Sequence, residues 1–257
     1  MSVPRSAWFT SGKPAGPRIY VIPQAGAGAA SVTQLRRVLD GRLPVVAVRL
    51  PFRESRLAES LPDSLHHLAD ALAAEISDHS GTDDFLLLGH CSGALLAYET
   101  AVRLAGRQGL AGLVVSAQVA PERFRPTPTR GLSPDEFRAY VTGNSLVPPE
   151  VLAAPALWTL VEPTLRADLR LCETYRPSGH VLGTPILAVH GRHDTRFRPS
   201  DAAAWKSRTR GGFRRVVLDR DHDYLSADPG ELADALIDAT PHFGSSFCPA
   251  PEPQSRR

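Results

Sequence analysis

The chain has 257 residues, 42% of them hydrophobic, with 29 basic and 27 acidic residues and a net charge of +2. That length and apolar content suffice for one α/β domain whose core needs neither disulfides nor a structural metal. The near balance of charge excludes the basic footprint of a nucleic-acid binder, and no apolar run reaches the roughly 20 residues that span a bilayer. Cys91, Cys172 and Cys248 lie far apart with no metal-ligand spacing, which suits a reducing compartment. The early Arg5 is followed by no apolar leader, so a soluble, cytoplasmic protein is expected, with loose ends at 1–17 and 244–257.

From the N-terminus, strand-like runs alternate with helix-like ones, the pattern of a mostly parallel sheet covered on both faces. The expected strands are Arg18–Ile22, Val45–Leu50, Phe85–Leu88, Leu113–Ser116, Ile186–Val189 and Arg215–Leu218. Helices are expected near 31–41, 62–78, 94–105, 200–208 and 229–239; the second carries Leu65, Leu68, Leu72 and Ile76 at helical spacing. Between about 121 and 182 the alternation stops. There the chain offers prolines and short helical patterns at Pro134–Val141, Pro149–Ala153 and Thr164–Tyr175. We read this stretch as a helical lid inserted into the domain at 18–243.

Chemistry concentrates at Gly89-His90-Cys91-Ser92-Gly93, which follows the apolar run Phe85–Leu88 and precedes the helix-forming Ala94–Glu99. A strand that turns at once into a helix forces its central residue into a strained conformation, and glycines on either side let the turn close. This is the nucleophile-elbow pattern of an α/β-hydrolase fold, with Cys91 where Ser usually stands. A sulfur at a helix N-terminus is favoured as the thiolate. The competing reading is that Cys91 is an inert small core residue.

A thiol nucleophile needs a base and a group that orients the base, following in the chain order nucleophile, acid, His. His222 follows the last expected strand and precedes the final helix, so it is the base; Asp194, just past the preceding strand, is the acid. Asp221 and Asp223 flank His222 but are expected to cap the following turn. His190 and His193 are expected to be structural or solvent-facing, and His90 to point away from the reaction. The oxyanion hole is expected from the backbone N–H groups of Ser92 and Ala25, the latter in the small-residue loop Ile22–Ala29. That loop contains no Gly-x-Gly-x-x-Gly or Gly-Lys-Ser/Thr string, which argues against a nucleotide site.

With these residues placed, the chain from about 18 to 240 resembles the type II thioesterases that act in trans on polyketide and non-ribosomal peptide assembly lines. The family's Pro-His-Ala-Gly-Gly loop stands as Pro23-Gln24-Ala25-Gly26-Ala27, and its Leu-Pro-Gly-Arg-Glu-x-Arg as Leu50 to Arg56. Its elbow Gly-His-Ser-Met-Gly-Ala stands as Gly89 to Ala94. The lid-end signature is present as Pro163 to Asp168 and Glu173-Thr174-Tyr175, followed by Gly191 to Asp194, Trp205 and Arg220 to Asp223. The departures gather at the chemistry: Cys91 for Ser, Gln24 for His, and Phe52, Arg220 and Asp223 for other family residues.

The resemblance implies a thioesterase-like enzyme that cleaves acyl or aminoacyl thioesters of an acyl or peptidyl carrier protein through a covalent Cys91 intermediate. The carrier's phosphopantetheine presents the substrate, and neither a metal nor an organic cofactor is expected. Two rivals stand beside it: transfer of the acyl group to a second carrier or an amine, and a non-catalytic carrier-protein binder. Gln24, Phe137, Tyr140 and Trp158 are candidates to line the acyl channel, although the lid aromatics could equally be a small core. Arg53, Arg56 and Arg166 could meet an acidic carrier or form ion pairs with Glu54 or Asp168. Cys172 reads as a packed helix residue, and nothing in the chain demands more than a monomer.

Overall fold

Runs such as Ile19-Tyr20-Val21-Ile22 and Leu86-Leu87-Leu88 are apolar at every position, so strands made from them must be covered on both faces. The computed structural model, which describes residues 6–10 and 14–244, meets that demand. Its strands are β1 Arg18–Ile22, β2 Val45–Ala47, β3 Phe85–His90, β4 Leu110–Ser116, β5 Ile186–Gly191 and β6 Phe213–Leu218. They form one sheet in the order β2-β1-β3-β4-β5-β6, and every neighbouring pair is parallel. With helices on both faces, this is the α/β-hydrolase architecture expected from the sequence.

The helices are α1 Thr33–Val38, α2 Leu65–Ser80, α3 Ser92–Arg103, α4 Pro134–Gly143, α5 Pro149–Ala153, α6 Pro155–Thr174, α7 Tyr224–Ala227 and α8 Gly230–Asp238. Strand alternation sends Tyr20, Ile22, Leu87 and Val115 to one face, where Leu68 and Leu72 of α2 and Leu95 of α3 cover them. Ile19, Val21, Leu86, Leu88 and Val114 face the other way, onto Leu35 of α1 and Leu232 and Leu236 of α8. Ser64 caps α2 by accepting from the His67 N–H, the start signal its position requires.

All six expected strands form, with shifted ends. The expected strand 45–50 stops at Ala47, and Val48 instead forms an isolated antiparallel bridge with Phe9. Within the stretch 1–17 expected to be a loose end, residues 6–10 are thus held against the chain just past β2. Trp8 and Phe9 are buried, Phe9 stacks near Tyr20 and His79, and the Arg56 guanidinium lies 3.9 Å above the Trp8 ring. Two large aromatic rings gain more from burial than the short segment loses by ordering. Most of the tail at 244–257, Cys248 included, lies outside the described residues.

Between β4 and β5 the chain makes no strand among the described residues. It forms the 3-10 turn Pro121–Arg123 and then α4, α5 and α6. Helix α6 is longer than the sequence suggests because it runs through Pro163, which removes one backbone donor without ending the helix. The expected helix at 200–208 is 3-10 throughout Pro199–Arg208.

Candidate active site

Strand order reverses direction of growth at β1, with β2 on one side and β3 on the other. The loops leaving β1 and β3 therefore meet at the carboxyl end of the sheet, the usual place for a ligand in this architecture. Ile22 pairs in register with Gly89, which sets the Pro23–Ala29 loop beside the turn carrying Cys91. Cys91 adopts φ 51° and ψ −126°, a region costing a non-glycine residue about 1–3 kcal/mol. Its neighbours explain the two glycines. A Cβ on Gly89 would strike the Gly93 carbonyl, and one on Gly93 would strike the carbonyls of Ile22 and Pro23. The Cys91 N–H is tied to the Ser116 carbonyl at 2.8 Å, which holds the strained turn against β4.

The structure brings Cys91, His222 and Asp194 together. Asp194 Oδ2 lies 2.7 Å from His222 Nδ1, while Asp194 Oδ1 accepts the N–H groups of Arg196 at 2.8 Å and Phe197 at 3.0 Å. Burial raises the Asp194 pKa, but the bond to His222, its positive charge and the two amides together hold the carboxyl below its ordinary value. His222 is pushed down by burial and then further up by the Cys91 charge and the Asp194 bond, reaching about 9. Burial raises the Cys91 thiol as well. The His222 charge, Arg196 and the Ser92 N–H outweigh that and bring it below the usual thiol range. Both shifts run in the direction of a thiolate paired with an imidazolium. With Nδ1 on Asp194, the buried Nε2 is the ring nitrogen left for the Cys91 sulfur.

The other three histidines weighed in the sequence, His90, His190 and His193, are not part of this pair. His90 is buried beneath the turn, with Nδ1 2.9 Å from Ser116 Oγ, which in turn lies 2.6 Å from Tyr224 Oη. It does not line the cavity, yet its ring packs 5.5 Å from that of His222, and burial followed by the His222 charge keeps it neutral. His190 is buried with Nε2 3.1 Å from the Gln118 carbonyl, and His193 is exposed beside Asp219. Asp223 occupies the position before α7, but its side chain makes no capping bond and lies 3.9 Å from Arg196 instead. His90, His222 and Asp223 each place a donor atom within 4.8 Å of the others, the one such group among the described residues. A metal there would take His222 Nε2, so metal binding and a free basic His222 exclude one another.

At the expected oxyanion hole, the Ala25 N–H donates to Ser92 Oγ at 2.7 Å. The loop is pinned from above. Gly26 N–H donates 2.8 Å to Asp168 Oδ2 of α6, and Arg53 grips both Asp168 oxygens at 2.9 and 2.6 Å and the Ala27 carbonyl at 2.8 Å. Arg53 and Asp168 are both buried, and Arg56 is buried against Trp8 and Glu59. Neither arginine is therefore available to meet a carrier protein; Arg166 pairs with Glu162 and covers the Phe137 ring. Other signature residues also serve the framework: Tyr175 donates 2.8 Å to the buried Glu99, Glu173 accepts from the Thr129 N–H at 2.6 Å, and Trp205 donates 2.9 Å to the Gln118 carbonyl.

Above Cys91 opens a cavity of about 580 Å³, walled on one side by the helical insertion. Gln24 and Tyr140 line it as expected, and Gln24 Oε1 is buried without a hydrogen-bond partner. Phe137 and Trp158 do not line it. They pack with Val141, Val147 and Leu165 as the core of the insertion, the alternative reading for these aromatics. Cys172 is packed on α6 as expected and also reaches the cavity wall. Arg196, Arg125 and Gln118 line the cavity too and went unmarked in the sequence. Arg196 follows the acid by two positions, but nothing local in the sequence shows that its loop returns toward the thiol.

The fold and this geometry together define an α/β-hydrolase whose turn between β3 and α3 carries a cysteine. A model of the thioesterase domain matches residues 17–240, and the chain belongs to that family. Among its relatives, the thioesterase PikA5 of Streptomyces venezuelae is 29% identical over 86% of this chain and 80% of its own. The gramicidin S biosynthesis protein GrsT of Aneurinibacillus migulanus is 28% identical over 85% of this chain and 87% of its own. Among solved structures, the type II thioesterase BorB from the borrelidin biosynthetic cluster superposes with a TM-score of 0.79 at 29% identity, covering 92% of this chain and 98% of that one. RedJ, a thioesterase from the prodiginine pathway in Streptomyces coelicolor, does so with a TM-score of 0.77 at 30% identity, covering 90% and 98%. Among the described residues, no helix is long and apolar enough to cross a membrane.

Proposed function

We propose that this thioesterase hydrolyses acyl thioesters carried on the phosphopantetheine arm of an acyl or peptidyl carrier protein, through a covalent acyl-Cys91 intermediate, in polyketide or non-ribosomal peptide biosynthesis. The observation that carries the reading is the strained Cys91 beside the His222–Asp194 pair on the floor of a 580 Å³ cavity. The pathway is supported by the relatives, which are named for such pathways, and the carrier is what the resemblance to type II thioesterases implies.

The Cys91 thiolate attacks the thioester carbonyl carbon, and the electron pair of the C=O bond moves onto oxygen. Backbone N–H groups of Ser92 and Ala25 hold that oxyanion, which requires Ser92 Oγ to give up the Ala25 N–H it accepts at rest. Collapse breaks the bond to the pantetheine sulfur, and the His222 imidazolium supplies its proton. For hydrolysis, neutral His222 takes a proton from water as its oxygen attacks the acyl carbon, then returns one proton to the Cys91 sulfur as the acid leaves. Asp194 keeps the ring oriented throughout. The arm belongs to the carrier, so no separate cofactor enters.

A second reading is supported by the sulfur itself. Exchange of one thioester for another is nearly isoenergetic, so the acyl group on Cys91 stays activated for transfer to a second carrier thiol or an amine. Intact-mass measurement of the protein mixed with an acyl-loaded carrier, with and without an empty holo-carrier, separates the readings. An adduct absent from Cys91→Ala and decaying to free acid regardless of acceptor is the expected result. Decay that waits for the acceptor makes the protein a transferase, and no adduct with carrier binding intact makes it a binder.

A further inference from the structure

The cavity over Cys91 is lined by two arginines, Arg196 and Arg125, and by no Asp or Glu. Arg196 is mostly buried. Its guanidinium donates to the Ser145 carbonyl, and the nearest carboxylate, the half-buried Asp223, is 3.9 Å away. Arg125 donates to the carbonyls of Glu122 and Phe124 and forms no ion pair among the described residues. A guanidinium cannot shed its proton to escape such a site. Its positive charge is felt at the reaction centre, where Arg196 lowers the pKa of Cys91 and of His222. Leu146, Leu169 and Phe197 supply apolar wall for carbon chain between these polar points.

A positive, partly enclosed cavity beside a thiolate discriminates by charge. An ammonium on the incoming acyl group meets two fixed cations. A carboxylate on it meets a guanidinium that also screens it from the attacking thiolate. We infer that the cavity selects acyl groups bearing a carboxylate, the half-thioesters of dicarboxylic acids, with Arg196 as counter-ion and Arg125 assisting at the rim. This rests on the thioesterase reading above and narrows it, setting aminoacyl groups with a free ammonium at a disadvantage.

The test uses the full chain and N-acetylcysteamine thioesters of butyrate, succinate and β-alanine, which match in length and lack the arm's phosphate. Thiol release and the rate of Cys91 acylation by intact mass are both read. Succinyl should exceed butyryl in kcat/KM by about tenfold to a hundredfold, the worth of a charge-assisted hydrogen bond, with β-alanyl below both. Arg196→Gln should bring the succinyl-to-butyryl ratio close to one, and the ratio corrects for any change the variant causes in Cys91 itself. Arg125→Gln should lower the ratio less. Butyryl turned over as fast as succinyl by the wild type, or a ratio that survives Arg196→Gln, overturns the inference and leaves the thioesterase reading standing. So does a preference for neutral phosphopantetheine thioesters over pantetheine ones that Arg196→Gln removes, because Arg196 would then hold the arm's phosphate. No turnover and no adduct with any thioester overturns both readings together.

Discussion

The strand-end frame and the helical insertion meet across one cavity but are specified differently. In the frame, each chemical residue is forced by backbone: Gly89 and Gly93 by carbonyls that leave no room for a Cβ, Cys91 by its φ of 51°. In the insertion, what reaches the cavity depends on how α4, α5 and α6 pack on one another, and similar aromatics go to different fates. Tyr140 faces the cavity, whereas Phe137, three residues earlier, is fully buried. Chemistry in this molecule is set locally, and selectivity is set at long range.

If that division holds, damage to the frame should abolish turnover without loosening the fold. Asp194→Asn removes the charge that supports the imidazolium and should lower kcat/KM by roughly 10²–10⁴-fold, with Tm little changed. A smaller loss would mean that Cys91 reacts without an oriented base. The seam between the two regions should show the converse. Asp168→Ala strands Arg53 in a buried site and should cost about 3–5 kcal/mol, a fall in Tm on the order of 10 °C by calorimetry. A mild effect would mean that α6 is held elsewhere.

Titration sharpens the frame further. Because Cys91 lies below the usual thiol range and His222 near 9, the thiolate forms as pH rises through the depressed Cys91 value and keeps its imidazolium partner up to about pH 9. Alkylation by iodoacetamide should thus begin below the ordinary thiol value of about 8.5, and His222→Ala should move the onset to higher pH. At neutral pH the rate should then fall about tenfold for every pH unit by which the onset rises. An onset at the ordinary thiol value in the wild type would mean that Cys91 and His222 form no ion pair at rest.

The smallest effect concerns Phe52, a non-glycine residue at φ 64° where the resembled family has Gly. Phe52→Gly should be more stable than Phe52→Ala by about 1 kcal/mol, since only glycine enters that region freely, and paired melting curves would show it.

The same division explains what could be read from the amino acids. All six strands and the elbow follow from hydrophobic runs and from where such runs end, which are local properties; the assignment of Asp194 and His222 lays the hydrolase order over those strand ends. The buried Trp8 and Phe9 escaped because a five-residue segment shows no period, and α6 escaped in its first half because Pro163 reads as a break. Arg196 could be assigned to no role without knowing that the loop after Asp194 turns back over the thiol. For Arg53 the sequence left open a carrier contact or an ion pair with Glu54 or Asp168, and the structure pairs it with Asp168, 115 positions away.

That pair has a mechanical consequence. Asp168 joins α6 to the Gly26 N–H and to Arg53, and Thr164 of the same helix donates 3.0 Å to the Phe52 carbonyl. Lifting this part of α6 would strip the loop of its brace and separate two buried charges, so it behaves as a fixed shelf. The other end of the helix, where Leu157 and Leu160 are exposed, carries no such bolts. Of the insertion's helices, α4 also lines the cavity, through Tyr140, and makes none of these bonds to the Pro23–Ala29 loop.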